Sequence, residues 1–221
     1  MRLRASCQLQ AVIVTASESF PRSIDTSNYR KHTHSNPLQR GLIGRFHQLI
    51  ACKVLELAPE SFLDAGCGEG FVSQFLLKRS PGIGIVGFDW NPESVSLAST
   101  TNPSEAYMVA DISQLPFATN ALDVAGCFEV LEHLHQPQQA LRELVRVSRN
   151  AVVLSVPHEP YFSLANAARG KNLDIRPRGS DPDHRQFWSR SAFHTFVEQE
   201  ADVLWIGGSF PWTVCVATPR P

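Results

Sequence analysis

The sequence predicts an α/β fold: a doubly wound, mostly parallel seven-stranded sheet with an antiparallel last strand and helices on both faces. Three observations carry that expectation. Short apolar runs alternate with segments of helical periodicity, the order that builds a parallel sheet. The runs 62–64, 84–89, 106–111 and 123–129 each close on a carboxylate, which would gather acids along one edge of the sheet. The last two apolar runs, Asp202–Ile206 and Trp212–Ala217, are joined only by Gly207–Pro211, a connection short enough to demand antiparallel pairing. A chain of 221 residues suits one such domain.

Residues 1–36 are expected to be an extension outside the domain. Met1–Thr15 carries two arginines and the apolar Ala11–Val14, but the run is short and interrupted by Gln8 and Gln10, unlike a signal sequence. Ser17–Thr33 is polar, and Tyr29 with His32 or His34 would form a lid if it covers a ligand, or a tail if it does not. From Pro37 to Leu57 the apolar spacing Leu42, Ile43, Phe46, Leu49, Ile50, Val54 gives a core-facing helix, with His47 as a packing or surface residue. Phe62-Leu63-Asp64 is the first strand, and Phe71, Val72, Phe75, Leu76 begin the helix after it. Asn91-Pro92-Glu93 opens the next helix with a capping amide, a proline at the first position and an acid in the first turn. After Gln136-Pro137, Ala140, Leu141, Leu144 and Val145 mark a helical face running to about Arg149, and Ala151–Pro157 is the fifth strand.

Between the first strand and its helix lies Asp64-Ala65-Gly66-Cys67-Gly68-Glu69-Gly70. Glycines there allow positive φ and close approach of a ligand to backbone. The dinucleotide fingerprint is excluded by Phe71 where its third glycine belongs, and a P-loop by the missing Gly-Lys-Ser/Thr. The remaining pattern, Asp-x-Gly-x-Gly-x-Gly, resembles the first motif of the class I S-adenosylmethionine-dependent methyltransferases. Gly84–Asp89, Ala106–Ile112 and Asp123–Leu134 are similar, in order, to the family's next three motifs. The resemblance extends over about residues 37–219 and is strongest in the first half; it implies a Rossmann-like sheet closed by a reversed hairpin.

Carried onto this chain, the resemblance implies that Asp64 orients the amino group of S-adenosylmethionine, directly or through water. It implies that the backbone of Gly66, Cys67 and Gly68 holds the methionine part and that Asp89 accepts from the ribose hydroxyls. Trp90 would stack on the adenine, Asp111 and Ile112 would clamp its edge and face, and the strand end at Phe128 would lie beside the methionine. Methyl transfer from a sulfonium needs placement of the acceptor and exclusion of water. For a hydroxyl or acid acceptor a base is also needed, and His133 and His158 are the candidates.

The segment 157–190 reads as a substrate cover, with Tyr161, Phe187 and Trp188 facing the acceptor or packing the next helix, which His184–Ser189 would open. Arg169, Lys171, Arg176, Arg178 and Arg185 would give it a cationic lining; a solvated loop is the alternative. Glu129-x-x-Glu132-His133 resembles a divalent-ion cluster of quinone O-methyltransferases and small-RNA 2′-O-methyltransferases, which implies a metal-assisted alternative. The further histidines of the RNA branch are not found at its spacing, so no metal is expected. A non-catalytic binding module on the same fold is the other alternative, but it would have lost the loop or the ribose acid.

Net charge is −1, with charged residues at 19%, so nucleic acid is not an expected partner and a small-molecule acceptor is. Five scattered cysteines without metal or redox spacing suit a reducing compartment, and no apolar run is long enough for a membrane span, so the expected location is the cytoplasm.

Overall fold

The computed structural model describes residues 37–175 and 177–220. The possible lid with Tyr29, His32 and His34, and Arg176 of the cationic segment, lie outside them. Seven strands run β1 (Ser61–Ala65), β2 (Gly84–Asp89), β3 (Ala106–Val109), β4 (Leu122–Phe128), β5 (Ser148–Pro157), β6 (Ala201–Ser209) and β7 (Trp212–Pro219). They form one sheet in the order β3-β2-β1-β4-β5-β7-β6. β1 to β5 pair in parallel, and β7 pairs antiparallel with both β5 and β6. The sheet is therefore the expected one, down to the reversed last strand.

The helices are α1 (Pro37–Glu56), α2 (Phe71–Leu77), α3 (Pro92–Thr101), α4 (Pro137–Val147), α5 (Tyr161–Ala168) and α6 (Arg190–Val197). Alternate residues of each central strand feed opposite faces of the sheet. Phe62, Val124, Val153, Val214 and Val216 pack with Phe46, Ile50 and Val54 of α1. Leu63, Ala125, Val152, Leu154, Cys215 and Ala217 pack with Leu141 and Leu144 of α4 and with Phe193 and Val197 of α6. His47 is buried between the rings of Phe46 and Phe75, a packing residue.

Register brings the strand tips level. Ala65 of β1 lies opposite Phe88 of β2 and Cys127 of β4, and Phe128 of β4 lies opposite Ser155 of β5. The strand order reverses between β1 and β4, which opens a crevice at that edge. The β1–α2 loop and the residues after β4 meet there.

The segment after β5 departs from the expected plain insertion. It contains α5, tied to residues 179–180 by the Asn166 side chain donating to the Gly179 carbonyl at 2.9 Å and by Asn172 donating to the Ser180 carbonyl at 2.8 Å. The Glu159 carboxylate accepts from the Ser163 hydroxyl at 2.7 Å at its start. Conversely, His184–Ser189 is not helical: α6 begins at Arg190, where Ser189 caps it by accepting from Ala192 N–H at 3.2 Å. The serine supplies the first helical acceptor, so the chain before it stays extended.

Leu154 is fully buried at the centre of the α4 face. Leu154→Ala should lower the unfolding free energy by about 2–5 kcal/mol through lost burial and an unfilled cavity. Denaturant titration should show this as a fall in midpoint with an unchanged slope.

Candidate cofactor and acceptor site

The β1–α2 loop turns its amides inward. Gly66 N–H and Cys67 N–H both donate to the Phe88 carbonyl, at 2.8 and 2.9 Å, and Gly68 N–H donates to Asp89 Oδ2 at 3.0 Å. Gly66, Gly68 and Gly70 have φ of 75°, 52° and 78°, a left-handed sequence that side chains would oppose. At Gly66 a Cβ would also fall 2.4 Å from Val130 Cγ2, so the chain after β4 crosses directly over the loop.

Beneath the loop, Asp64 is 2% exposed and its Oδ2 accepts from the Ser73 hydroxyl of α2 at 2.6 Å. Burial pushes its pKa up to about 6, against the opposing hydrogen bonds from the Ser73 side chain and backbone. The acid thus also closes the first turn of α2, whose Gly70 cap has no side-chain acceptor to offer. Asn102 completes the support by donating to the Gly70 carbonyl at 3.1 Å and to Tyr107 Oη at 3.0 Å. The Cys67 side chain packs with Val95, Ala98 and Tyr107 below the crest.

Asp89 sits at the tip of β2, accepting from Gly68 N–H and, through Oδ1, from Asn91 N–H at 2.9 Å. Burial raises its pKa, with nearby Glu69 acting in the same direction. Trp90 comes next, at 80% exposure. Asp111 stands exposed just beyond β3, its pKa lowered by hydrogen bonds from the Ser113 hydroxyl and amide. Ile112, the next residue, is 8% exposed and belongs to the α4-side core.

With the amides of Gly66, Cys67 and Gly68 donating to β2, these three groups are not free to hold a phosphate, which needs amides or cations. Residues 63–156 match the family model described as a methyltransferase domain. Over that stretch the chain is similar to S-adenosylmethionine-dependent methyltransferases.

A probable S-adenosylmethionine-dependent methyltransferase of Mycobacterium tuberculosis is 27% identical over 181 residues, covering 78% of this chain and 57% of that one. A malonyl-[acyl-carrier protein] O-methyltransferase of Pseudescherichia vulneris is 33% identical over 101 residues, 46% of this chain and 39% of the other. The chain thus spans about half the length of the curated relatives it matches. Among solved structures, magnesium protoporphyrin IX methyltransferase of Synechocystis with bound S-adenosylhomocysteine shares the fold. It aligns at a TM-score of 0.67 and 16% identity, over 87% of this chain and 92% of that one.

S-adenosylmethionine is the cofactor of this methyltransferase family, and the residues fit it. The Cβ-free crest, the acidic tip of β2 and the exposed indole after it leave room and hydrogen-bond acceptors for such a ligand. The strand end at Phe128 lies at the crevice edge opposite Ser155, while its ring turns into the α1-side core, at 8% exposure. Val130, packed on Gly66, is the side chain that reaches the loop from β4, and it was unmarked in the sequence because an aliphatic residue after a strand carries no chemical signal.

At the acceptor side, His133 ends the 3-10 turn Leu131–His133, and its Nδ1 lies 3.2 Å from the Asp183 carbonyl. His158 lies just after β5, its ring edge-on to Tyr161 at 5.0 Å, and its pKa is lowered by burial and then by the Arg190 charge. Tyr161 and Phe187 are 53% and 39% exposed. Trp188 instead packs against Phe193 and Phe196 of α6, with centroids at 5.6 and 4.9 Å, so it pins the helix.

The alternative cluster of Glu129 with Glu132 and His133 on one helical face does not form. Glu129 has φ +57° and precedes the turn, and its Oε1 accepts from the Ser155 hydroxyl at 3.0 Å. The third group beside Glu132 and His133 is His184, which sequence spacing did not reveal.

The raised Asp64 pKa has a signed consequence. An acid that binds its proton more tightly when folded loses stabilising weight as pH rises from 3.8 to about 6. Relative to wild type, Asp64→Asn should therefore gain roughly 3 kcal/mol between about pH 4 and about pH 7. Urea titrations of both proteins at several pH values would measure it, and a constant gap would contradict it.

Proposed function

We propose that this chain transfers the methyl group of S-adenosylmethionine to a small-molecule acceptor held beneath the segment 157–190. The observation that carries the proposal is the loop whose amides are consumed by β2. It withholds three amides from an anion and sets the buried Asp64 beneath the crest and Asp89 at its edge, an arrangement that favours a ligand with an ammonium and a sulfonium. The modest net charge and the exposed Tyr161 and Phe187 support a compact organic acceptor rather than a polyanion.

Bound in the crevice, S-adenosylmethionine supplies a methyl group on a positively charged sulfur, already activated for in-line attack. The backbone of Gly66, Cys67 and Gly68 would hold its methionine part, and Asp64 beneath the loop would orient its amino group, directly or through a water. Cys67 fixes the crest by packing its thiol into the floor. Asp89 accepts from the ribose hydroxyls, Trp90 stacks on the adenine, and Asp111 with Ile112 sets its position. The segment 157–190 would exclude water from an acceptor bound beside the tips of β4 and β5.

His158 takes the acceptor proton. Its depressed pKa keeps the imidazole neutral at ordinary pH, the form a base requires. His133 stands on the neighbouring strand tip as the other acceptor-side imidazole. The acceptors named for the relatives, malonyl-[acyl-carrier protein] and magnesium protoporphyrin IX, differ widely, which agrees with acceptor choice residing in the variable cover.

Asp89→Ala should weaken S-adenosylmethionine binding about tenfold to a hundredfold, the loss of charged hydrogen bonds to the ribose and of the Gly68 anchor. Calorimetry would measure this, and unchanged affinity would contradict the assignment. His158→Ala should cut turnover by about a hundredfold or more, with cofactor affinity retained. In the intact enzyme the acid limb of turnover should fall below the ordinary histidine range, because the neutral imidazole persists to lower pH. An acid limb at or above that range would exclude His158 as the base.

A further inference from the structure

Two distant segments converge beside the tip of β4. The carbonyl of Glu132 accepts from both Arg185 N–H at 2.7 Å and Gln186 N–H at 3.0 Å. Gln186 Nε2 also donates to the Leu134 carbonyl at 3.2 Å. These bonds fasten the end of the cover onto the turn after β4 and bring His184 against His133, with ring centroids 4.9 Å apart.

One ligand atom each from Glu132, His133 and His184 then lies within 4.8 Å of the others. The Glu132 carboxylate is buried, with Oε1 4.0 Å from His133 Nε2. His133 Nδ1–H donates to the Asp183 carbonyl at 3.2 Å, which places the imidazole lone pair on Nε2, toward the carboxylate. A backbone carbonyl behind an imidazole is how proteins fix the tautomer and direction of a histidine ligand.

We propose that Glu132, His133 and His184 bind one divalent first-row transition ion. A cation ligated at about 2.1 Å by each atom holds its ligands at most about 4.2 Å apart, so a small rotation of the half-exposed His133 ring closes the site. Two imidazoles and one carboxylate favour manganese to zinc over magnesium or calcium, which prefer all-oxygen shells. Three protein ligands leave open positions on the solvent side, and a hydroxyl or carboxylate oxygen of the acceptor is the group that would occupy them. One carboxylate against two positive charges leaves the ion net positive, which favours the ionised oxygen.

Ion binding itself is independent of the methyl-transfer reading; its use in holding an acceptor oxygen rests on that reading. In this arrangement His133 is a ligand, and His158 alone serves as base.

Chelator-treated full-length protein would be titrated with cobalt(II) chloride, monitored by calorimetry and by visible absorption, with magnesium chloride as comparison. The expected result is one cobalt per chain with a nitrogen-ligand absorption spectrum, and weaker magnesium binding. His184→Ala and Glu132→Gln should each lower cobalt affinity by at least about tenfold, whereas Glu129→Gln should leave it unchanged. Thermal melting would establish that each variant is folded. His184→Ala tests the site even if Glu132→Gln does not fold, because His184 is partly exposed on the cover. No stoichiometric cobalt, affinity indifferent to His184→Ala, or loss on Glu129→Gln equal to that on His184→Ala would overturn the ligand set. S-adenosylhomocysteine titrated separately keeps the two readings apart: cobalt bound without nucleoside would count against the cofactor reading alone, and nucleoside bound without cobalt against the ion site alone.

Discussion

A single carbonyl oxygen, that of Phe88, accepts the amides of both Gly66 and Cys67, and the geometry of the crevice depends on it. Those bonds tie the β1–α2 loop down to the neighbouring strand and decide what the loop shows to solvent. Had the amides pointed outward, the crest would attract phosphate. Turned inward, the three amides are withheld from an anion, and the same glycine spacing no longer builds a phosphate cradle. Asp64 and Asp89 brace the arrangement, one by closing the first turn of α2 and the other by anchoring Gly68 and Asn91. Both acids are held where burial raises their pKa, a cost that a positively charged ligand would offset.

The segment between β5 and α6 is built differently. Asparagine side chains tie α5 to residues 179–180, and the Glu132 carbonyl fastens residues 185–186 to the turn after β4. The β1–α2 loop rests on the sheet, whereas this segment rests on a few hydrogen bonds from an irregular chain.

The sheet was legible because its signals are local. Alternating glycines, an acid at each strand tip and a five-residue final connection can each be read without knowing the fold. Asn91-Pro92-Glu93 named its own helix start, and the Asn91 side chain does accept from Glu93 N–H. The site was legible only in part. The direction of the Phe128 ring depends on the parity of β4 relative to Gly126 and Phe62, and Trp188 on where Ser189 caps α6. The meeting of His184 with Glu132 and His133 was hidden for another reason: 50 residues separate His133 from its partner Asp183, and the connection has no periodicity to place them. Glu129, Glu132 and His133 suggested a helical face in the sequence, but the left-handed Glu129 breaks it.

The central claim is that the crevice holds a sulfur nucleoside and that a loop with three amides tied to β2 does not hold phosphates. The most direct measurement is a calorimetric titration of the full chain with S-adenosylmethionine and S-adenosylhomocysteine, set against ATP under the same conditions. The account predicts saturable one-to-one binding of both sulfur nucleosides and no competition from ATP. Binding of ATP at the same site, or no binding of either sulfur nucleoside, would contradict it.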